Sequence, residues 1–438
     1  MRFLLCCLLL TPFVLLGQCP DTTIARRVDS LITASRGHTG EGEFSEALAT
    51  SARAAELALA NCGEHSAAYG SATFNEGRVR YFMDDNQAAI PWYQKSLEIR
   101  GEVLGTDHPD YGKSLNNLAI VYDVLGRYET AEPLYKAALD IREKTAGRES
   151  ATFANALANL GSLYQQMGKY EAAEALSLEA KDIRGRLLGR DDPAYSASLN
   201  NLGNLYLDLR NSERALTYYE EAVAILERLG DTTGVEYILH LDNLGNLHWS
   251  VGNYSQANDL LNQALDATEL LLGRDNIYYH QVRYHLGLLT RSTGAPDESA
   301  AHFAAALRTL AKLQLENTDE FALTLLENAR SVEALGDSSQ ALRFIRQAHE
   351  IAGKTIHSGR SAYTSFLRHF VRMEWRYGNR RTALDLCEKA VAQSRSAINR
   401  ATRHLGDAEL SPYLSYFSWL LGATATLADS APAAAPLL

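Results

Sequence analysis

Proline is scarce in this 438-residue chain, ten in all, and runs rich in Val and Ile are rare. Few prolines mean few enforced helix breaks, and few β-branched runs argue against an extensive sheet. Positive charge is also in short supply: 42 Lys and Arg stand against 53 Asp and Glu, a net charge of −11. That argues against a general nucleic-acid binder, which needs a cationic surface to displace counterions. There are five cysteines, and no Cys/His cluster has zinc spacing. No Ser/His/Asp or Cys/His set stands at a spacing that supports nucleophilic catalysis, so no enzyme, metal site or cofactor is expected. Long apolar runs are missing apart from Phe3 to Leu16, which follows Arg2 and precedes the small Gly17. This reads as an export signal over residues 1–17, too short to cross a bilayer comfortably, and no membrane span is expected in the mature chain.

What the chain has in abundance is Leu, Ala, Glu and Arg, arranged in a repeat. "SLNNLAIVYDVL" at Ser114 returns as "SLNNLGNLYLDL" at Ser198, with "ALANLGSLYQQM" between them. The small residue that follows the Asn-Leu pair serves as a marker, and its position falls at Gly77, Ala119, Gly161, Gly203, Gly245, Gly287 and Ala329, every step being 42 residues. One further step each way reaches Ser35 and Val371. A second small column runs from Ala47 through Ala89, Ala131, Ala173, Ala215, Ala257, Ser299 and Ala341 to Ala383, and a third from Ala54 to Ala390. Small residues held in phase mark places where two helices approach closely. Between the first and second columns stands a turn glycine (Gly42, Gly126, Gly168, Gly252, Gly294, Gly336, Gly378), replaced by Asp84 and Arg210 in two units, whose turns are expected to be weaker. A further glycine set, including Gly63, Gly105 and Gly147, closes the second helix of each unit. Starts such as "DHPDY", "RDDPAY" and "RESAT" then open the next. Apolar residues recur at three and four, as in Leu115, Leu118, Val121 and Tyr122, which is amphipathic helix.

The pattern small–x–x–Tyr, Gly–x–Tyr–x–x–Ala, Tyr–x–x–Ala resembles the tetratricopeptide repeat. "HPDY" followed by "SLNNLA" and "LGRYETAEPLYKAALDIRE" resembles its 42-residue kinesin-light-chain subtype. The resemblance implies an all-α, right-handed superhelical solenoid of about nine antiparallel helix pairs, with a concave groove lined by the first helix of each pair. It spans residues 18–396, is strong over 66–315 and degenerates at both ends. A helical cap or connector is expected over 397–428, followed by a ragged tail over 429–438. The stretch after Ser396 is also loosely similar to the connector of exported bacterial proteins that join such repeats to a CHAT peptidase domain.

Asn is a mediocre helix former, yet it recurs two positions before the marker at Asn75, Asn117, Asn159, Asn201 and Asn243. Asn116 and Asn200 stand one position further back, and Ser162, Asn204 and Asn246 one position after the marker. The resemblance implies that this face points into the groove, where amides suit a peptide backbone read without regard to its side chains. The other reading, in which the asparagines bond the neighbouring repeat, stays open. Lys113 and Arg78 are the only cations in equivalent positions of units two to five, so a C-terminal carboxylate ligand is disfavoured there; Lys113 completes the expected groove set. Tyr122, Tyr164 and Tyr206 are expected in the core.

From Arg343 to Arg403 the chain carries thirteen Lys and Arg but four Asp and Glu. Arg368, Arg372, Arg376 and Arg380, four apart, form one helical stripe, read either as a solvated face or as a docking face for an acidic segment or adjoining domain. Cys19, Cys62 and Cys387 remain beyond the signal. Cys19 and Cys62 can pair, both lying near the first helix pair, or all three stay thiols. "LGQC" resembles a bacterial lipoprotein box but has Gln18 where that motif wants a small residue, leaving anchoring at Cys19 as a minor alternative to a free periplasmic or secreted protein. The expected function is an exported, non-enzymatic interaction scaffold that binds protein or peptide segments. The alternative is the sensor arm of a larger protein whose effector, a CHAT-type peptidase for instance, lies beyond Leu438.

Overall fold

The computed structural model describes residues 19–355 and 361–386, and every regular element among them is helical. The signal, cap and tail expectations, with Cys387, lie outside these residues. The described residues fall into two units that meet in sequence at Leu229 and Gly230. The first holds five helix pairs: α1 (Thr22–Gly40) with α2 (Phe44–Cys62), α3 (Ala67–Phe82) with α4 (Asn86–Leu104), α5 (Pro109–Val124) with α6 (Tyr128–Ala146), α7 (Ala151–Gln166) with α8 (Tyr170–Leu187), and α9 (Pro193–Asp208) with α10 (Ser212–Leu229). The second holds α11 (Val235–Ser250) with α12 (Tyr254–Leu271), α13 (Ile277–Ser292) with α14 (Pro296–Lys312), α15 (Asp319–Ala334) with α16 (Ser338–Thr355), and α17 (Ser361–Tyr377), which opens a ninth pair.

The small columns are where the helices meet. Ala47, Ala89, Ala131, Ala173, Ala215, Ala257, Ser299, Ala341 and Ala383 are all fully buried. The marker positions are buried as well, and their size is set by one partner sixteen residues on. A Cβ added to Gly77 would meet the ring of Tyr93 at 3.0 Å, one on Gly203 the ring of Tyr219 at 2.4 Å, and one on Gly287 the ring of Phe303 at 2.7 Å. Glycine here lets a large side chain of the second helix lie across the backbone of the first. Each such buried Tyr, Leu or Phe contributes about 1.5–3 kcal/mol, and no hairpin hides both its faces alone, so neighbouring repeats support one another.

The chain reverses between the two helices of a pair through one residue in the left-handed region. It is glycine at Gly42, Gly126, Gly168, Gly252, Gly294 and Gly336. Asp84 and Arg210 adopt the same conformation, with φ of 60° and 56°, so the turn survives in both units at the cost of a strained side-chain-bearing residue. Gly378 alone in this column stays outside that region. First helices start on side-chain caps: Ser66, Ser150, Asp192, Asn276 and Thr318 each accept a backbone N–H of the opening turn. A second periodic feature escaped the sequence reading. Lys144–Asp107, Arg186–Glu149, Arg228–Asp191 and Lys312–Asp275 are ion pairs of identical spacing that tie each second helix to the loop before its own first helix. The column breaks at Thr233 and Leu270, where the leucine is 84% exposed. Cys19 and Cys62 form a disulfide that fastens the start of the chain to the end of α2.

Candidate functional site: the amide-bearing face of the first helices

Within the first unit, α3 approaches α5, α5 approaches α7, and α7 approaches α9, so first helices line the inner side of the bend. The asparagines divide on this face according to what the preceding repeat offers them. Asn75 is fully buried, and its amide donates to Ser35 Oγ at 2.9 Å and Ser51 Oγ at 3.0 Å. This corrects its placement in an open groove: the first repeat supplies hydroxyls in reach, and the amide is consumed there. Asn159 Nδ2 donates to Asn116 Oδ1 of the repeat before, at 3.0 Å, and Asn117 Nδ2 to the Lys113 carbonyl at 2.9 Å. Lys113 itself is exposed and paired with Asp110 at 2.9 Å. Asn200 is buried, and Asn243 and Asn246 are half-buried. Asn246 Oδ1 is buried without a hydrogen-bond partner.

Asn201 is different. The residue that would receive its amide, at the Asn116 position of the preceding repeat, is Ala158. Asn201 is accordingly exposed. It borders a concavity of about 300 Å³ between α7, α8 and α9, together with Ser162, Asn204, Ser177 and Arg184. Asn204 accepts the hydroxyl of Tyr219 and keeps its amide nitrogen for other partners. Three of the sequence-designated residues, Ser162, Asn201 and Asn204, therefore come together in one place. Arg184 and Ser177 lie on the second helix, so a reading confined to first helices missed them.

In the second unit the same column is ionic. His285 occupies the Asn159 position and bonds Asp242 Oδ1 through Nδ1 at 2.8 Å; Gln281 Nε2 donates to the other Asp242 oxygen at 2.7 Å. Burial opposes charge on His285, but Asp242 outweighs it and raises the imidazole above its ordinary value. Burial lowers His280 and His302 to about 4, helped by His285 beside the first, where it outweighs Asp242, and by Arg283 beside the second. Glu327, at the next step of the column, pairs with Arg291 and Arg330.

The basic stripe of α17 is engaged inside its own unit. Arg372 Nη2 lies 2.7 Å from Glu333 Oε2, and Arg376 Nη1 lies 3.9 Å from Glu333 Oε1. Arg380 is stacked 5.0 Å from the Trp375 ring centroid. The side chain of Arg368 is outside the described residues. Glu333 thus takes up Arg372 and touches Arg376, while Arg376 and Arg380 stay exposed. Tyr206 is core as expected, whereas Tyr122 and Tyr164 are half-buried. Among the described residues, one group could offer three donor atoms to a metal, the half-buried His38 near the end of α1 and the exposed Glu41 and Glu43 after it. No described helix is long and apolar enough to cross a membrane.

Helical hairpins of constant length, stacked in 42-residue register with polar side chains along one face, define an interaction scaffold. These hairpins are tetratricopeptide repeats: residues 71–144 and 152–228 match one tetratricopeptide-repeat family, and residues 238–278 a second. No curated protein sequence matches significantly. Among solved structures, the apo quorum sensor NprR from B. thuringiensis is 14% identical, covers 74% of this chain and 86% of its own, and gives a TM-score of 0.57. A Rap protein complexed with competence and sporulation factor is 16% identical, covers 75% and 98%, and gives 0.52. The kinesin-light-chain repeats of Podosopora anserina are 19% identical over 47% of this chain and 98% of theirs, at a TM-score of 0.43.

Proposed function

We propose that this chain is an exported, non-enzymatic scaffold that binds extended peptide segments along the first helices of its first unit. The observation that carries this reading is the meeting of Ser162, Asn201 and Asn204 at one concavity, where the Asn201 amide has no repeat-to-repeat acceptor. Amides supply both donors and an acceptor, so they can pair with a backbone of any sequence. A few such bonds at about 0.5–1.5 kcal/mol each against association costs of at least ~4 kcal/mol support modest, micromolar binding. The Rap and NprR folds, described respectively as a complex with competence and sporulation factor and as a quorum sensor, fit a ligand-receiving role for such an array. Export is supported by the apolar leader and by the Cys19–Cys62 disulfide, which suits an oxidising compartment. A disulfide at Cys19 also competes with lipid attachment to that sulfur.

The test is an array of immobilised ten-residue peptides probed with the wild-type protein and with the double variant Asn201→Ala/Asn204→Ala, thermal melting serving as the control for folding. Loss of at least tenfold in affinity across the bound peptides is expected. Unchanged binding by a folded double variant would refute recognition through these amides.

A further inference from the structure

The concavity beside Asn201 exists because two columns fail in the same repeat. The position that packs over the marker glycine reads Tyr93, Tyr135, Ser177, Tyr219, Leu261, Phe303 and Ile345. In six of these seven units a large side chain fills the space, yet at Gly161 the glycine persists and the atom a Cβ would meet is Ser177 Oγ. The second failure is Ala158, where neighbouring repeats carry Asn116 and Asn200. Together they leave about 300 Å³ open, room for about ten waters at ~30 Å³ each.

A guanidinium lines that space. Arg184 is 9% exposed; Nη1 donates to Ser198 Oγ at 2.5 Å and Nη2 to Asn155 Oδ1 at 2.7 Å, both neutral partners. No carboxylate lies within ion-pair distance of it among the described residues, and burial lowers its pKa, with Asp192 opposing from further off. Arg100 occupies the same position two repeats earlier. There Phe74, at the Ala158 position, covers the guanidinium with its ring centroid 4.6 Å away, and Tyr93 fills the Ser177 position. The same cation is thus sealed under aromatics in one repeat and left facing a cavity in the other. The one acidic residue at this cavity, Asp208, is exposed at the rim and accepts from Gln165 Nε2 at 2.7 Å. A solvated rim charge is screened far more than a buried one.

We infer that the Ser177 cavity is a specificity pocket of the peptide groove that receives a carboxylate, with Arg184 as counter-charge and Ser162, Ser177 and Asn201 as hydrogen-bonding walls. This rests on the groove reading and adds to it a selected chemical group. Two sources share that chemistry, a Glu or Asp side chain and a peptide C-terminus. Three fluorescent ten-residue peptides of otherwise equal composition separate them: one with a central Glu and an amidated end, one with a central Gln and a free carboxyl end, and one with a central Gln and an amidated end. Fluorescence anisotropy is read with the wild-type protein, with Ser177→Tyr, which rebuilds the aromatic column, and with Arg184→Gln.

The wild-type protein is expected to bind one carboxylate peptide at least tenfold more tightly than the neutral one, and its identity names the source. Ser177→Tyr is expected to abolish that preference and not to lower the melting temperature. Arg184→Gln is expected to abolish the preference too, and decides the matter if the tyrosine variant does not fold. Equal binding of all three peptides by the wild-type protein, or a preference that survives in a folded variant, overturns the pocket while leaving the groove intact. Failure of all three to bind overturns both.

Discussion

Asn159 with Asn116 in the first unit and His285 with Asp242 in the second occupy the same two positions of successive repeats, at 3.0 and 2.8 Å. One rung is neutral and the other carries charge. The comparison shows that the column is first a device for joining repeats, and that its chemistry is free to change while the 42-residue geometry stays fixed. It also explains why asparagine is kept in a helix that would otherwise prefer alanine: a cross-repeat bond offsets a propensity cost of up to about 0.7 kcal/mol. Where the acceptor is missing, as at Asn201, the amide is left for something else.

The largest way to break the comparison is Asp242→Ala. It strands His285 and Gln281, whose partner is 1% exposed, and should destabilise the second unit by about 3–5 kcal/mol in chemical denaturation. Acid comes next. His280 and His302, lowered to about 4, and His369, lowered to about 3, are neutral when folded near pH 6 while the unfolded chain binds protons. Their contribution is complete above about pH 6.5 and is lost as pH falls toward those folded values, at up to ~1.4 kcal/mol per pH unit each. His285 has the opposite sign: its pairing is fully present below about pH 6.5 and is lost as pH rises through its raised folded value. Hydrogen exchange from pH 4.5 to 8 should therefore show the second unit losing protection in acid while the first holds. Equal acid sensitivity in both units would remove the distinction. Asn116→Ala, the neutral counterpart, should cost only about 0.5–1.5 kcal/mol. Smallest is Arg186→Ala, which removes an exposed pair to Glu149 and should shift stability by at most about 1 kcal/mol in the same titration.

The repeat was legible because close helix contact admits only small side chains, so Ala47, Ala131 or Ala215 marks its place whatever surrounds it. Which asparagines face outward was not legible from their own column. It depends on the residue one repeat earlier: hydroxyls for Asn75, an amide for Asn159, a methyl for Asn201. The partner of Arg372 was hidden for a similar reason, since Glu333 comes from α15 and not from the local sequence. The Ser177 interruption was visible in principle once the units are aligned. Its meaning emerges only with Arg184 beneath it.

The most direct test of the central claim is hydrogen exchange of the first unit with and without a peptide retained from the array. The account expects new protection along α7 and α9, centred on the turns around Ser162, Asn201 and Asn204. Protection confined to α8 and α10, or none on a protein that demonstrably holds the peptide, would contradict it.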